Sequence, residues 1–128
     1  MYPIKLGSPP KSFPQTISFL RLTGEKCEIK VQYKYRTRAE FAQFIADLYP
    51  TIKTPETQAY GAGVDVEAEN KKAQVKEAQY IASAVEGWDL EEEFNAASIA
   101  RLVDEYPAAS IAITSVYREV ITEGRSKN

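Results

Sequence analysis

The stretch that decides the fold is residues 87–124, GWDLEEEFNAASIARLVDEYPAASIAITSVYREVITEG. Asn95 is a favourable N-cap ahead of a helical pattern of apolar residues. Pro107 cannot continue this first helix but suits the first turn of a second one, and Gly124 suits the left-handed C-cap of that second helix. The stretch therefore predicts two consecutive helices that pack together.

Each of these helices carries one apolar stripe at the three-four spacing of a helix face. The first stripe is Ile99, Leu102, Val103 and Tyr106. The second is Ala109, Ala112, Ile113, Val116, Tyr117, Val120 and Ile121. Ile111 lies off the second stripe, so we predict that it is exposed and treat it as a candidate contact for a partner.

The N-terminal half predicts a β-hairpin. Residues 27–35 alternate apolar and polar side chains, as a strand with one buried face does, and residues 16–22 supply the other strand. The turn between them contains Gly24, which supplies conformations that other residues resist. Residues 1–14 contain Pro3, Pro9, Pro10 and Pro14 and predict an irregular arm.

Two further helices are predicted around a long loop. Thr37 and Glu40 form a capping-box pattern, and Pro50 ends the helix that follows. Residues 51–65 are rich in Gly and Pro and predict a mobile loop or hinge. Residues 67–86 predict a helix that Gly87 ends, with Trp88 folded back over its last turn. The stripe of this helix is thin: Val75, Ala78, Ile81, Ala82 and Val85.

These elements predict a single α+β domain over residues 1–128. Residues 1–50 form a hairpin covered by a helix, residues 51–65 a loop or hinge, and residues 66–128 a bundle of about three helices. The thin stripe of helix 67–86 implies shallow burial, so we expect that this helix meets a partner chain.

Composition narrows the function. The 128 residues carry a net charge of −2 and no Lys/Arg cluster, which lowers the expectation of nucleic-acid binding. No apolar run is long enough to span a membrane, and the single Cys27 fits a reducing compartment. Histidine is absent, which removes the commonest general base and metal ligand. We therefore expect no enzyme activity, no catalytic residue, no cofactor and no metal site.

Three local patterns have a functional and a structural interpretation. Trp88 fits an exposed binding anchor, but the burial habits of Trp favour a core residue. The acidic residues 91–93 lie in one run and cannot converge on one cation, so support of the following helix dipole is favoured. Residues 33–36 mix aromatic and basic side chains as single-strand binders do, but strand alternation favours burial of both tyrosines.

A set of residues in the C-terminal third carries a resemblance. They are Gly87-Trp88-Asp89-Leu90, Phe94, Leu102, Tyr106-Pro107, Ile113, Tyr117 and the closing Arg125-Ser126-Lys127-Asn128. In this order and spacing they resemble the phage tail assembly chaperone family of long-tailed bacteriophages. The resemblance covers residues 81–128. Its motif residues Gly87, Trp88, Tyr106, Pro107 and Tyr117 are interpreted as structural.

The resemblance implies a non-enzymatic protein of the host cell cytoplasm. Members of the family bind the long, apolar tape measure protein, help to deliver tail tube subunits, and leave before the virion is complete. Self-association stays open, and no nucleic-acid or membrane partner is expected. The main alternative is a small structural head-tail connector or tail completion protein that is retained in the particle. A bacterial regulatory adaptor is a third interpretation.

Overall fold

A computed structural model describes residues 6–7, 11–50 and 66–124 of the chain. Three strands and four helices lie within these ranges. In chain order they are β1 (Ser12–Leu20), β2 (Lys26–Lys34), α1 (Arg38–Leu48), α2 (Val66–Ala84), β3 (Val85–Trp88), α3 (Ala96–Glu105) and α4 (Pro107–Glu123). The α+β class is therefore confirmed. No helix of the described ranges is long and apolar enough to cross a membrane.

The β1–β2 hairpin is antiparallel and runs from the pair Ser12 and Lys34 to the pair Leu20 and Lys26. Its turn contains Gly24 at φ 93°, a conformation that favours glycine. β1 begins earlier than predicted, inside the segment expected to be an irregular arm, and it includes Pro14. A proline is tolerated there because β1 is an edge strand.

β3 is a correction to the sequence interpretation. The helix expected to continue to Glu86 ends at Ala84, and Val85–Trp88 pairs antiparallel with β2 as the third strand. Gly87 therefore lies in a strand and is not the cap of a helix. The free edge of β2 offers backbone hydrogen bonds to this segment from more than fifty residues away in sequence. The sequence around Val85–Trp88 does not reveal a partner that is so distant in the chain. A four-residue strand is also too short to show an alternating pattern.

The helix ends follow the sequence signals closely. The Thr37 side chain accepts from the Glu40 backbone N–H, and the Glu40 carboxylate accepts from the Thr37 backbone N–H, which completes the capping box. The Asn95 side chain caps α3. Pro107 opens α4, and Gly124 ends it in the left-handed conformation at φ 70°. These predictions are confirmed.

The core lies between the sheet and the helices. α4 packs on β1, and α2 packs on α3 and α4, while α1 packs against α4 and α2. The largest buried side chains come from the sheet and from the helices: Tyr33, Tyr117, Ile17, Ile81, Ile99 and Ile113. The stripe predicted for α4 is buried or half-buried throughout, as expected.

The stripe predicted for α2 is partly wrong. Val75 and Ala82 are exposed, whereas Tyr80 is buried beside Ile81 and Ala84. Tyr80 does not share the helix face of Val75, Ala78 and Ala82, so the prediction chose the wrong face of α2. In the fold the Tyr80 hydroxyl donates to the backbone carbonyl of Thr114 at 3.1 Å, which satisfies it inside the core.

Three predicted segments lie wholly or partly outside the described residues. They are the irregular arm at residues 1–5 and 8–10, the loop or hinge at residues 51–65 with its expected mobility, and the closing residues 125–128. The division of the chain into three parts within one domain stays a prediction.

Candidate functional site

A cleft in the described part of the chain lies between the β1–β2 hairpin, the segment that follows β3, and α3. Its volume is about 430 Å³. Apolar side chains from all of these elements line it: Phe19, Ile29, Trp88, Leu90, Leu102 and Tyr106. The cleft is formed because three segments that are distant in sequence converge beside the end of the sheet.

Trp88 is the largest side chain in this cleft, and its position is fixed at two points. Its indole N–H donates to the backbone carbonyl of Glu92 at 2.8 Å. Its ring meets Phe94 edge-on, with 5.0 Å between the ring centroids. The indole is half-buried, so it is both a packing residue and part of the cleft surface.

The segment after Trp88 is tied to β2. The Asp89 backbone N–H donates to the Lys30 carbonyl at 3.1 Å, and the Lys30 backbone N–H donates to the Asp89 carboxylate at 3.0 Å. This pair of bonds continues the β2–β3 ladder past the end of β3. It holds Leu90 and Glu92 at the cleft wall.

A second cleft of about 300 Å³ adjoins the first, between the hairpin turn and the α3–α4 junction. The two clefts share four lining residues: Phe19, Arg21, Glu105 and Tyr106. Leu20, Leu22 and Pro107 line the second cleft only. We name the two adjoining clefts together the Tyr106 groove, because Tyr106 lies where they meet.

Tyr106 corrects one prediction. The sequence pattern predicts it on the buried stripe of α3, but its side chain is 41% exposed. The residue is the C-cap of α3, with φ −131° and ψ 69°, so the chain has already left the helical conformation there. Its side chain consequently departs from the helix face that buries Ile99, Leu102 and Val103.

Ile111 extends the apolar surface beyond the groove. It is 55% exposed, as predicted from its position off the α4 stripe. Ile111 follows Ala108 by three residues and Pro107 by four, so all three lie on one side of α4. Since Pro107 and Ala108 line the groove, this apolar side of α4 continues directly from it.

Charged residues also line the groove: Arg21, Glu28, Glu92, Arg101 and Glu105. Two ion pairs form here, each within one element. Arg21 lies 3.4 Å from Glu25 in the hairpin turn, and Arg101 lies 3.4 Å from Glu105 on α3. Both pairs are exposed, so each contributes little stability. No group of three or more Cys, Asp or Glu side chains that can hold a metal occurs in the described ranges. The groove is suited to apolar contact.

The comparison with known families decides the class of the protein. A family model described as phage tail assembly chaperone matches residues 1–128, the whole chain. The chain belongs to the phage tail assembly chaperone family. The resemblance seen over residues 81–128 is thus confirmed, and it extends through the hairpin. No curated protein and no solved structure gave a match.

Three of the five motif residues of this chaperone meet at the Tyr106 groove. Trp88 and Tyr106 line the larger cleft, and Tyr106 and Pro107 line the smaller one. Gly87 precedes Trp88 in β3 and is paired with Gln32. An added Cβ at Gly87 would meet no atom within 4 Å.

Tyr117 is separate from the groove and lies at the centre of the core. Its hydroxyl donates to the Lys34 carbonyl at 2.8 Å and accepts from the Arg36 guanidinium at 2.9 Å. Arg36 also lies over the Phe44 ring, 4.2 Å from its centroid. Burial raises the pKa of the Tyr117 hydroxyl, and Arg36 opposes that shift. Tyr117 therefore holds α4 to the end of β2.

Two more buried tyrosines act in the same way. The Tyr33 hydroxyl donates to the Ile113 carbonyl at 2.6 Å, and the Tyr80 hydroxyl donates to the Thr114 carbonyl. Burial is the main cause that raises the pKa of both hydroxyls. At neutral pH they are protonated donors that join the sheet and α2 to α4. Their arrangement is that of a structural network.

The sequence did not point to the hairpin side of the groove. Phe19, Leu20 and Leu22 failed to share one face of the predicted first strand, and that irregularity was the available signal. Leu22 is fully exposed and Leu20 is 62% exposed, beside a groove that continues to the α3–α4 junction. Clustered exposed apolar residues of this kind are typical of interaction sites.

Proposed function

We propose that this chaperone binds the tape measure protein in the host cytoplasm, helps to recruit tail tube subunits, and is absent from the mature virion. The observation that carries the proposal is the apolar surface that runs from the hairpin turn through the Tyr106 groove to Ile111. A role in tail assembly follows from the family; the identity of the partners is the proposal.

The groove supports a helical apolar partner. Its exposed apolar side chains, which include Leu20, Leu22 and Tyr106, lie between a strand turn and a helix junction rather than along one flat face. An amphipathic helix presents apolar side chains at three-four spacing and can place them in such a groove. Apolar area removed from water contributes about 25 cal/mol per Å² before the costs of association.

The first experiment is co-expression with the tape measure protein of the same phage, followed by co-purification. We expect a complex that persists at about 0.5 M salt, where charge interactions are screened beyond a few Å. Neutral substitutions of Glu91, Glu92 and Glu93 should change binding little. Failure to co-purify, or loss of the complex on raising salt alone, contradicts the proposal.

A matched pair of variants locates the contact. Ile111→Asp should weaken the complex at least tenfold, because it places a charge on the apolar side of α4. Val75→Asp is the control: Val75 is also 55% exposed, also aliphatic and also on a helix, but it does not line the groove. Equal losses with both variants would show that the contact is not confined to the groove and includes α2, whose thin stripe predicted a partner.

Tube recruitment and release are tested separately. A complex of this chain with the tape measure protein should retain purified tail tube subunits that the tape measure protein alone does not retain. Mass spectrometry of purified particles should then detect none of this chain. Its presence in particles at a fixed ratio to tail proteins would instead favour the head-tail connector or completion role.

A further inference from the structure

The outer edge of β1 carries backbone groups that no strand of the described residues pairs with. The Tyr35 backbone N–H donates to the Lys11 carbonyl at 3.0 Å, and the Arg21 N–H donates to the Glu25 carbonyl at 2.8 Å. Both bonds follow the hairpin register, so odd-numbered residues of β1 bond to β2. Even-numbered residues direct their backbone groups away from β2. Within the described residues, no strand pairs with that side of β1.

This edge lacks most of the features that prevent strand pairing. Edge strands are commonly protected by short length, charged side chains, prolines or bulges. β1 has nine residues and no charged side chain, and its one proline is Pro14 near its start. Residues 15–20 contain neither charge, proline nor glycine. By contrast, the opposite edge strand β3 has four residues, includes Glu86 and meets β2 with an irregular register.

We propose that a second copy of this chain pairs with β1 along this edge, antiparallel about a twofold axis at Ser18. In that register Ser18 faces Ser18 of the second copy, and Thr16 faces its Leu20. Each of these residues directs both N–H and C=O outward, so every such group meets its complement. Pro14, which lacks an N–H, falls opposite Leu22, beyond the end of the strand. The two sheets become one continuous sheet.

A second copy fits better than an unrelated strand because the edge is self-complementary. An isologous dimer brings the same surface together twice, so a charged edge would repel itself, and this one is uncharged. Ser18 and Leu20 are exposed, so the sheet face that carries them is open to the side chains of a neighbouring strand. Leu20 would pack on the β-branched Thr16 of the other copy. The proposal is independent of tape measure binding.

Analytical ultracentrifugation of the full chain over a wide concentration range tests the pairing. We expect a concentration-dependent dimer. Ser18→Pro removes an N–H that points away from β2, as Pro14 already does, so the hairpin keeps its ladder. This variant should be monomeric with an unchanged circular dichroism spectrum, and Ser18→Thr should dimerise like the wild type. A monomeric wild type, or a folded Ser18→Pro variant that still dimerises, overturns the proposal.

A charge exchange tests the register and does not depend on the proline variant. Ser18→Lys alone and Ser18→Glu alone should each lose dimerisation at least tenfold, because like charges then face each other across the axis. Mixing the two variants should restore a mixed dimer. If each variant dimerises like the wild type, or the mixture stays monomeric, Ser18 does not lie on the axis and the proposal fails.

Discussion

At the scale of the residue, Trp88 combines packing with exposure. Its indole is held by the Glu92 carbonyl and by the Phe94 ring, yet part of it faces the Tyr106 groove. The interpretation as a core residue and the interpretation as a binding surface both describe part of this side chain. Substitutions at Trp88 should therefore affect stability and partner binding together.

We expect Trp88→Ala to lower the free energy of unfolding by about 2 kcal/mol, less than the ~3–5 kcal/mol typical of fully buried aromatic residues. Trp88→Phe keeps a ring against Phe94 but loses the bond to Glu92, so its cost should be smaller. Urea unfolding followed by circular dichroism measures both. A Trp88→Ala variant with wild-type stability would show that the ring does not support the fold.

Tyr106 and Tyr49 form a natural pair for testing the groove. Each is the C-cap of a helix and precedes a proline, with closely similar backbone angles. They are 41% and 44% exposed, but only Tyr106 lines the groove. We expect Tyr106→Ala to weaken tape measure binding at least tenfold in the co-purification assay, and Tyr49→Ala to leave it near wild type. The reverse ranking would exclude the groove as the contact.

At the scale of the element, the end of α2 and the start of β3 decide the local structure around Gly87. A helix that ended at Gly87 in a left-handed cap would require glycine there. Gly87 instead lies in a strand without positive φ, whereas Gly124 caps α4 at φ 70°. The backbone conformation at Gly124 therefore favours glycine, whereas the conformation at Gly87 does not require it.

This difference predicts opposite effects of alanine. Gly124→Ala should cost about 1 kcal/mol, because a Cβ disfavours the left-handed conformation. Gly87→Ala should be neutral or stabilising by a few tenths of a kcal/mol, because glycine in a strand loses more backbone entropy on folding and the site has room for a methyl group. Thermal unfolding of both variants measures the effect. Equal destabilisation by the two substitutions would show that Gly87, like Gly124, requires the backbone freedom of glycine.

At the scale of the whole molecule, three buried tyrosines connect the sheet and α2 to α4. The ring centroids of Tyr33 and Tyr117 lie 4.9 Å apart, and those of Tyr80 and Tyr117 lie 6.2 Å apart. Each hydroxyl donates to a backbone carbonyl of another element. The network is therefore most stable while all three hydroxyls are protonated.

This network predicts alkaline unfolding. The folded state raises the pKa of these hydroxyls above the ordinary value of 10.0. The unfolded chain thus loses the tyrosine protons first, so stability is full below about pH 10 and falls as the pH rises further. Urea unfolding at pH values from neutral to alkaline measures this slope. Tyr80→Phe should make it shallower, and an unchanged slope in that variant would contradict the assignment.

The sequence by itself determined the local features of this chaperone. The capping box at Thr37, the N-cap at Asn95, the Pro107 junction and the Gly124 cap each depend on residues within a few positions of one another. The side chains and backbone groups involved are close in sequence, so they contact each other independently of the tertiary fold. Local sequence patterns therefore predict these helix ends. The α4 stripe follows for the same reason, because a long amphipathic helix carries its period in its own sequence.

The tertiary structure alone decided β3, the buried face of α2 and the Tyr106 groove. β3 forms because the edge of β2 pairs with Val85–Trp88. Tyr80 can be buried because the Thr114 backbone carbonyl on α4 accepts a hydrogen bond from its hydroxyl. The groove requires the hairpin turn to lie beside Tyr106, across some eighty residues of sequence. Such contacts join segments that are far apart in sequence, and the local sequence of one segment does not identify the other. Only tertiary packing brings them together.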